Sequence, residues 1–115
     1  MIILILIDII AYMDKIFKAL ADINRRKIIT LLNNSNEMSV NELLKYFDNI
    51  GQSTLSSHLS ILKKAKLVEF RILGKQRIYR LNKDLLIAFA ENMRKFVGKT
   101  DEYLVDNIEI RGIKV

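Results

Sequence analysis

Apolar residues recur at helical spacing early in the chain. Ile10, Met13, Phe17 and Leu20 form one stripe, widened by Ile9 and Ile16, and predict an amphipathic helix over Asp8–Ala21. Asp22 is placed to cap a second helix running to Asn33, with Ile28, Leu31 and Leu32 facing inward, and Asn33–Asn36 reads as a polar loop. Ser39 and Glu42 then make a Ser-x-x-Glu capping box. Met38 and Leu43 occupy the positions of a hydrophobic staple, so a third helix starts there and ends near Phe47.

Asp48–Gly51 is turn-forming, and Asn49 tolerates a left-handed backbone, which predicts a sharp corner. A fourth helix, Gln52 to about Lys66, buries Leu55, Leu59 and Leu62 with Ile61 and Ala65 at the edges. Its other side carries Ser53, Ser56, Ser57, Ser60, Lys63 and Lys64. Two β-rich runs, Val68–Ile72 and Gln76–Leu81, flank Leu73-Gly74-Lys75 and read as a hairpin. Asn82 can cap a fifth helix to Val97, with Leu86, Phe89, Met93, Phe96 and Val97 on one side and Gly98 as its stop. Residues 99–115 give no readable pattern.

A chain of 115 residues, half of them hydrophobic, has room for one domain with a buried core, so residues 1–115 are expected to form a single domain. With no cysteine, disulfides and thiolate chemistry are excluded, and a cytoplasmic location fits. The apolar run Met1–Met13 is broken by Asp8 and falls short of the roughly 20 residues a bilayer-spanning helix needs. It also lacks the basic start of a secretory signal.

Charge alters the picture more than composition does. The net charge is +6. Between Gln52 and Lys83 stand eight bases (Lys63, Lys64, Lys66, Arg71, Lys75, Arg77, Arg80, Lys83) against one acid, Glu69, while the rest of the chain holds 11 bases and 12 acids. All the excess positive charge therefore lies in one stretch, as expected of a surface that binds a polyanion. Four serines on one helix face are poor helix formers and poor solubilisers. They make sense as short hydrogen-bonding groups that let the helix approach a surface closely, the alternative being indifferent surface.

The third and fourth helices about the Asn49-Ile50-Gly51 corner match a helix-turn-helix, and the basic hairpin behind them matches a wing. In that geometry the fourth helix enters the major groove of double-stranded DNA. Gln52, Ser53, Thr54, Ser56, Ser57 and Ser60 would reach base edges or phosphates; Lys63, Lys64, Lys75, Arg77 and Arg80 would supply phosphate contacts. Asp14, Asp22, Glu37 and Glu42 come with no nucleophile, so an enzyme is not expected, nor any cofactor. His58 leaves three readings open: packing or a hydrogen bond to a neighbour, a phosphate contact, or a metal ligand.

From Ile16 to Asn82 the chain resembles the ArsR-type winged-helix repressors. The matching stretches are Phe17-Lys18-Ala19-Leu20-Ala21-Asp22, Arg25-Arg26-Lys27-Ile28, Ser56-Ser57-His58-Leu59, Leu62-Lys63-Lys64-Ala65, Leu67-Val68, Gly74-Lys75 and Ile78-Tyr79-Arg80-Leu81-Asn82. The resemblance implies a mainly α, α+β winged helix-turn-helix of five helices. It further implies a homodimer paired through first and last helices that binds an inverted-repeat operator and blocks transcription. Ile10, Met13, Phe17, Leu86, Phe89, Met93 and Phe96 are then the candidate seam.

Three departures stand out. Ile23 replaces the Pro usual after the capping Asp, and Gly51 replaces the Ser usual at the start of the recognition helix. Ser39 and Asn41 stand where metal-sensing relatives carry cysteines, and the last helix offers Asp84 and Glu91 but no histidine, so no metal is expected at those sites. Met1–Tyr12 is either an extension upstream of a natural start at Met13 or a segment that lengthens the seam or lies on a membrane surface. Two further readings stay open, an unknown effector held between the terminal helices and a winged helix serving only protein contacts.

Overall fold

Residues 2–97, 109–110 and 113–114 are described by a computed structural model, in which the chain divides into two compact units, Met1–Leu85 and Leu86–Val115. Helix α1 spans Ile2–Leu20 and α2 Ile23–Ser35; strand β1 (Glu37–Ser39) precedes the short helix α3 (Val40–Leu44), and α4 follows at Gln52–Lys64. Strands β2 (Val68–Leu73) and β3 (Gln76–Leu81) make the hairpin, and α5 covers Lys83–Val97. In the second unit β4 (Glu109–Ile110) pairs antiparallel with β5 (Ile113–Lys114). Five helices and a wing are what the pattern predicts, but several boundaries differ.

The first helix begins at Ile2, not Asp8, and its buried side is Ile16 and Ala19 rather than the centre of the predicted stripe. Ile10 and Phe17 stay exposed. Asp22 accepts hydrogen bonds from the backbone N–H of Asn24 (2.8 Å) and Arg25 (3.3 Å), the expected N-cap, while α2 continues two residues beyond Asn33. Two consecutive arginines then satisfy the carbonyls at the end of α1. Arg25 donates to Ala19 O (2.7 Å) and Lys18 O (3.1 Å), and Arg26 to Leu20 O (2.9 Å).

Strand β1 was not expected. It lines the edge of a three-stranded sheet of order β1-β3-β2, with Met38 opposite Tyr79 and Ser39 opposite Ile78. Ser39 therefore ends a strand and caps a helix at once. The capping box is complete: Ser39 Oγ accepts from Glu42 N (3.1 Å) and Glu42 Oε1 from Ser39 N (3.0 Å). Helix α3 ends at Leu44, short of Phe47, and two i+3 bonds (Tyr46 N to Leu43 O, Phe47 N to Leu44 O) carry the chain on. Phe47 is buried beneath Lys27, whose Nζ lies 4.6 Å from the ring centre and also donates to Tyr46 O.

Asn49, which tolerates a left-handed backbone, does not adopt one. Among described non-glycine residues only Asn36 (φ 66°) and Lys66 (φ 62°) adopt positive φ. The core of the first unit is fully buried at Ile28, Leu32, Leu43, Leu55, Leu59, Leu62 and Leu67, while Leu31 is half-buried. Asn82 caps α5 as expected, accepting from Leu85 N at 3.3 Å; the expected stop, Gly98, lies outside the described residues.

Candidate nucleic-acid interface

Helix α4 has two sides. Leu55, Leu59 and Leu62 anchor it, so every other position near its start is driven outward: Gln52, Ser53, Thr54, Ser56, Ser57 and Ser60 are all exposed. Gly51 is the N-cap and supplies no side-chain bond, which leaves the first N–H groups of α4 without a side-chain cap. Ser57 Oγ donates to Ser53 O (3.1 Å).

The hairpin leans over this helix. Leu73 pairs with Gln76, so the turn is the two residues Gly74-Lys75, and Gly74 alone of the pair has positive φ (63°), the arrangement a type II′ turn requires. Between α3, the outer face of α4 and the wing lies a cleft of about 390 Å³. It gathers six of the predicted residues: Gln52, Ser56, Ser60, Lys63, Lys75 and Arg77. Ser39, Val40, Asn41, Gln76 and Tyr79 complete its lining, and none of the eleven is acidic.

Other predicted residues lie apart. Ser53, Thr54 and Ser57 are exposed on α4 outside the cleft, and Lys64 faces a second recess with Lys15, Lys18 and Ile61. Arg80 is held by Glu69, its Nη2 2.8 Å and Nε 2.9 Å from Oε1. Arg71 similarly pairs with Glu37 at 2.9 Å, which lowers the Glu37 carboxyl below its ordinary range and raises the guanidinium. Asn41 and Gln76 were missed by sequence reasoning. Gln76 could have been found from its place between Lys75 and Arg77, whereas Asn41 reaches the cleft only because β1 pairs with β3.

His58 resolves in favour of a hydrogen bond to a neighbour. Arg25 Nη1 lies 3.1 Å from its Nδ1, and Nε2 lies 4.0 Å from Asp22 Oδ1. Burial acts to raise the Asp22 carboxyl, but the backbone bonds from Arg25 and Asn24 and the nearby His58 and Arg25 outweigh it and hold the group low. Opposite, Tyr12 donates to Ala65 O at 3.2 Å, so α1 is tied to the far end of α4.

Of the candidate seam, Ile10 and Phe17 are exposed and Met13 half-buried; on α5, Leu86, Phe89 and Met93 are half-buried, and the side chain of Phe96 lies outside the described residues. The segment Ile2–Ile10 exposes eight large aliphatic side chains, from 47% at Ile9 to 75% at Ile2. Among the described residues no helix is long and apolar enough to cross a membrane.

Residues 22–69 match the family model described as bacterial regulatory protein, arsR family. The chain is 35% identical over 92 residues to the transcriptional repressor SdpR of Bacillus subtilis, covering 80% of this chain and 100% of that protein. It is 38% identical over 78 residues to the HTH-type transcriptional regulator YuzN of the same organism, covering 64% and 85%. Among solved structures, an ArsR-like transcriptional regulator from Rhodococcus sp. RHA1 superimposes with a TM-score of 0.72 at 25% identity, covering 84% of this chain and 90% of that one.

Proposed function

The chain belongs to the ArsR family of bacterial regulatory proteins and is a DNA-binding transcriptional regulator; from that premise we propose that it acts as a homodimeric repressor of an inverted-repeat operator. The observation that carries this reading is the acid-free cleft where Lys63, Lys75 and Arg77 converge beside Gln52, Ser56 and Ser60. Helix α4 enters the major groove with Gln52, Ser53, Thr54, Ser56 and Ser57 toward the base edges. Lys63, Lys75 and Arg77 take the flanking phosphates. Arg80 joins them by leaving Glu69, an exchange that costs little because an exposed ion pair contributes only about 0–1 kcal/mol. The place of action is the cytoplasm, where the operators of a bacterial regulator lie.

Repression follows from occupancy, since a dimer seated on an operator denies the site to the transcription machinery. The homodimer is supported by the apolar arm Ile2–Ile10, which a second copy would cover.

Selection from random duplexes tests the proposal. The enriched sequence is expected to be an inverted repeat with half-sites about 34 Å apart. Arg77→Ala should weaken binding to all sequences alike, whereas Ser53→Ala or Ser57→Ala should change which bases are preferred. Enrichment of a lone half-site would remove the two-fold symmetry. No retained duplex even at low salt would favour a module for protein contacts.

A further inference from the structure

Past Val68 the wing leaves the body. Residues Arg71 through Arg77 are all exposed, so no core beneath them sets the direction of the hairpin. Phe70, half-buried on β2, is the last apolar side chain before that overhang. Its neighbours come from three directions. Tyr79, its register partner on β3, holds its ring centre 5.3 Å away at 47°. From α4, Lys63 Nζ lies 4.8 Å from the Phe70 centroid, and from the wing Arg77 Cζ lies 4.7 Å from the same point. One helix cation and one wing cation thus share a single aromatic ring.

Both cations line the cleft, which has no acid to neutralise them. Their mutual repulsion would splay long, flexible side chains apart, because each is exposed and loses rotamer freedom when fixed. The ring's quadrupole opposes that repulsion and holds both charges in place before any ligand arrives. An anion entering the cleft then meets two donors already positioned, and the ordering cost falls away from its binding.

We propose that Phe70 is a positioning residue for DNA binding: by holding Lys63 of the recognition helix and Arg77 of the wing over one ring, it joins them into a single clamp for backbone phosphate. This rests on the DNA-binding reading and adds to it. Phe70 itself touches no nucleotide. It acts through the two cations, and so bears on affinity and salt dependence but not on base preference.

The test uses the full chain and the duplex recovered by selection. Phe70→Leu keeps an apolar side chain and removes the aromatic face. Binding is expected to weaken about five- to tenfold, with the slope of log affinity against log salt falling by about one to two phosphates' worth. Phe70→Tyr should bind as the unaltered protein does. In a Lys63→Ala, Arg77→Ala background, Phe70→Leu should make no further difference, because nothing remains for the ring to hold. Thermal melting separates loss of fold from loss of positioning, and Phe70→Met serves as a second variant if the leucine form melts early.

Equal affinity and slope in Phe70→Leu and unaltered protein would overturn the proposal, as would a full loss in the doubly substituted background. If the unaltered protein retains no duplex at all, the DNA-binding reading fails and this inference with it.

Discussion

Lys66 occupies a backbone conformation that most side chains avoid. It follows α4 at φ 62°, with Leu67 N bonded to Leu62 O (3.0 Å) and Lys66 N to Lys63 O (2.9 Å), the pattern that ends a helix with a left-handed residue. Leu62 and Leu67, both fully buried, add the apolar contact that accompanies this stop. A non-glycine residue there costs roughly 1–2 kcal/mol in local strain, and the Lys66 side chain is exposed. Lys66→Gly is therefore expected to raise stability by about 1 kcal/mol and the melting temperature by a few degrees. Calorimetry checks this, and a drop in melting temperature would mean the side chain contributes contacts beyond its backbone. Nothing in Ala65-Lys66-Leu67 as a string marks the spot. The left-handed position is imposed by Leu62 and Leu67 entering the core together, a long-range demand that local preference does not show.

Elements were legible where a local rule decides them. The capping box at Ser39 and Glu42, the caps at Asp22 and Asn82 and the Gly74-Lys75 turn all depend on residues within a few positions of one another. Strand β1 was not legible, because three residues become a strand only by pairing with β3 some 40 positions away. The start of α1 was hidden for a different reason: Ile2–Ile7 is apolar without interruption, and periodicity cannot be seen without polar residues to reveal it.

Helix α3 is short enough that its cap matters to its existence, and the cap is ionised. Ser39's backbone N–H and hydroxyl hold the Glu42 carboxyl below its ordinary value near 4.5. A carboxyl lowered on folding contributes stability that is present above its unfolded value and lost as pH falls through the folded one. Glu37 and Asp22, also lowered, act in the same sense. Melting temperature should therefore decline as the medium is acidified below about pH 4.5, and Glu42→Gln, which can still cap, should decline less steeply. Parallel acid limbs for the two proteins would show that the cap draws nothing from its charge.

Across the whole molecule, the basic face was legible from charge counting alone, since eight bases and one acid in a short stretch leave few alternatives. Which of those bases converge was not. Arg71 and Arg80 pair with Glu37 and Glu69 on the free protein, and Lys64 turns to another recess, a sorting made by sheet register and helix phase. The apolar arm poses the opposite question. Leu6, Ile10, Met13 and Phe17 repeat at the spacing of one helix face, and Leu6 and Ile10 are 51% and 61% exposed. Covering the exposed part of each such side chain with a second copy would contribute about 1–1.5 kcal/mol, roughly half the value for full burial. Leu6→Lys with Ile10→Lys should leave the protomer's fold intact, because neither residue is buried, and should shift sedimentation toward monomer. A dimer unchanged by the pair of charges would place the seam elsewhere.

The bonds that tie α1 to α4 have a mechanical consequence. Tyr12 grips Ala65 just past one end of α4, and Arg25, anchored on the last carbonyls of α1, grips His58 near the middle of α4. A turn of the arm would therefore be passed to α4 at two points, and on the proposed DNA-binding role the pitch at which that helix meets a groove should shift with it.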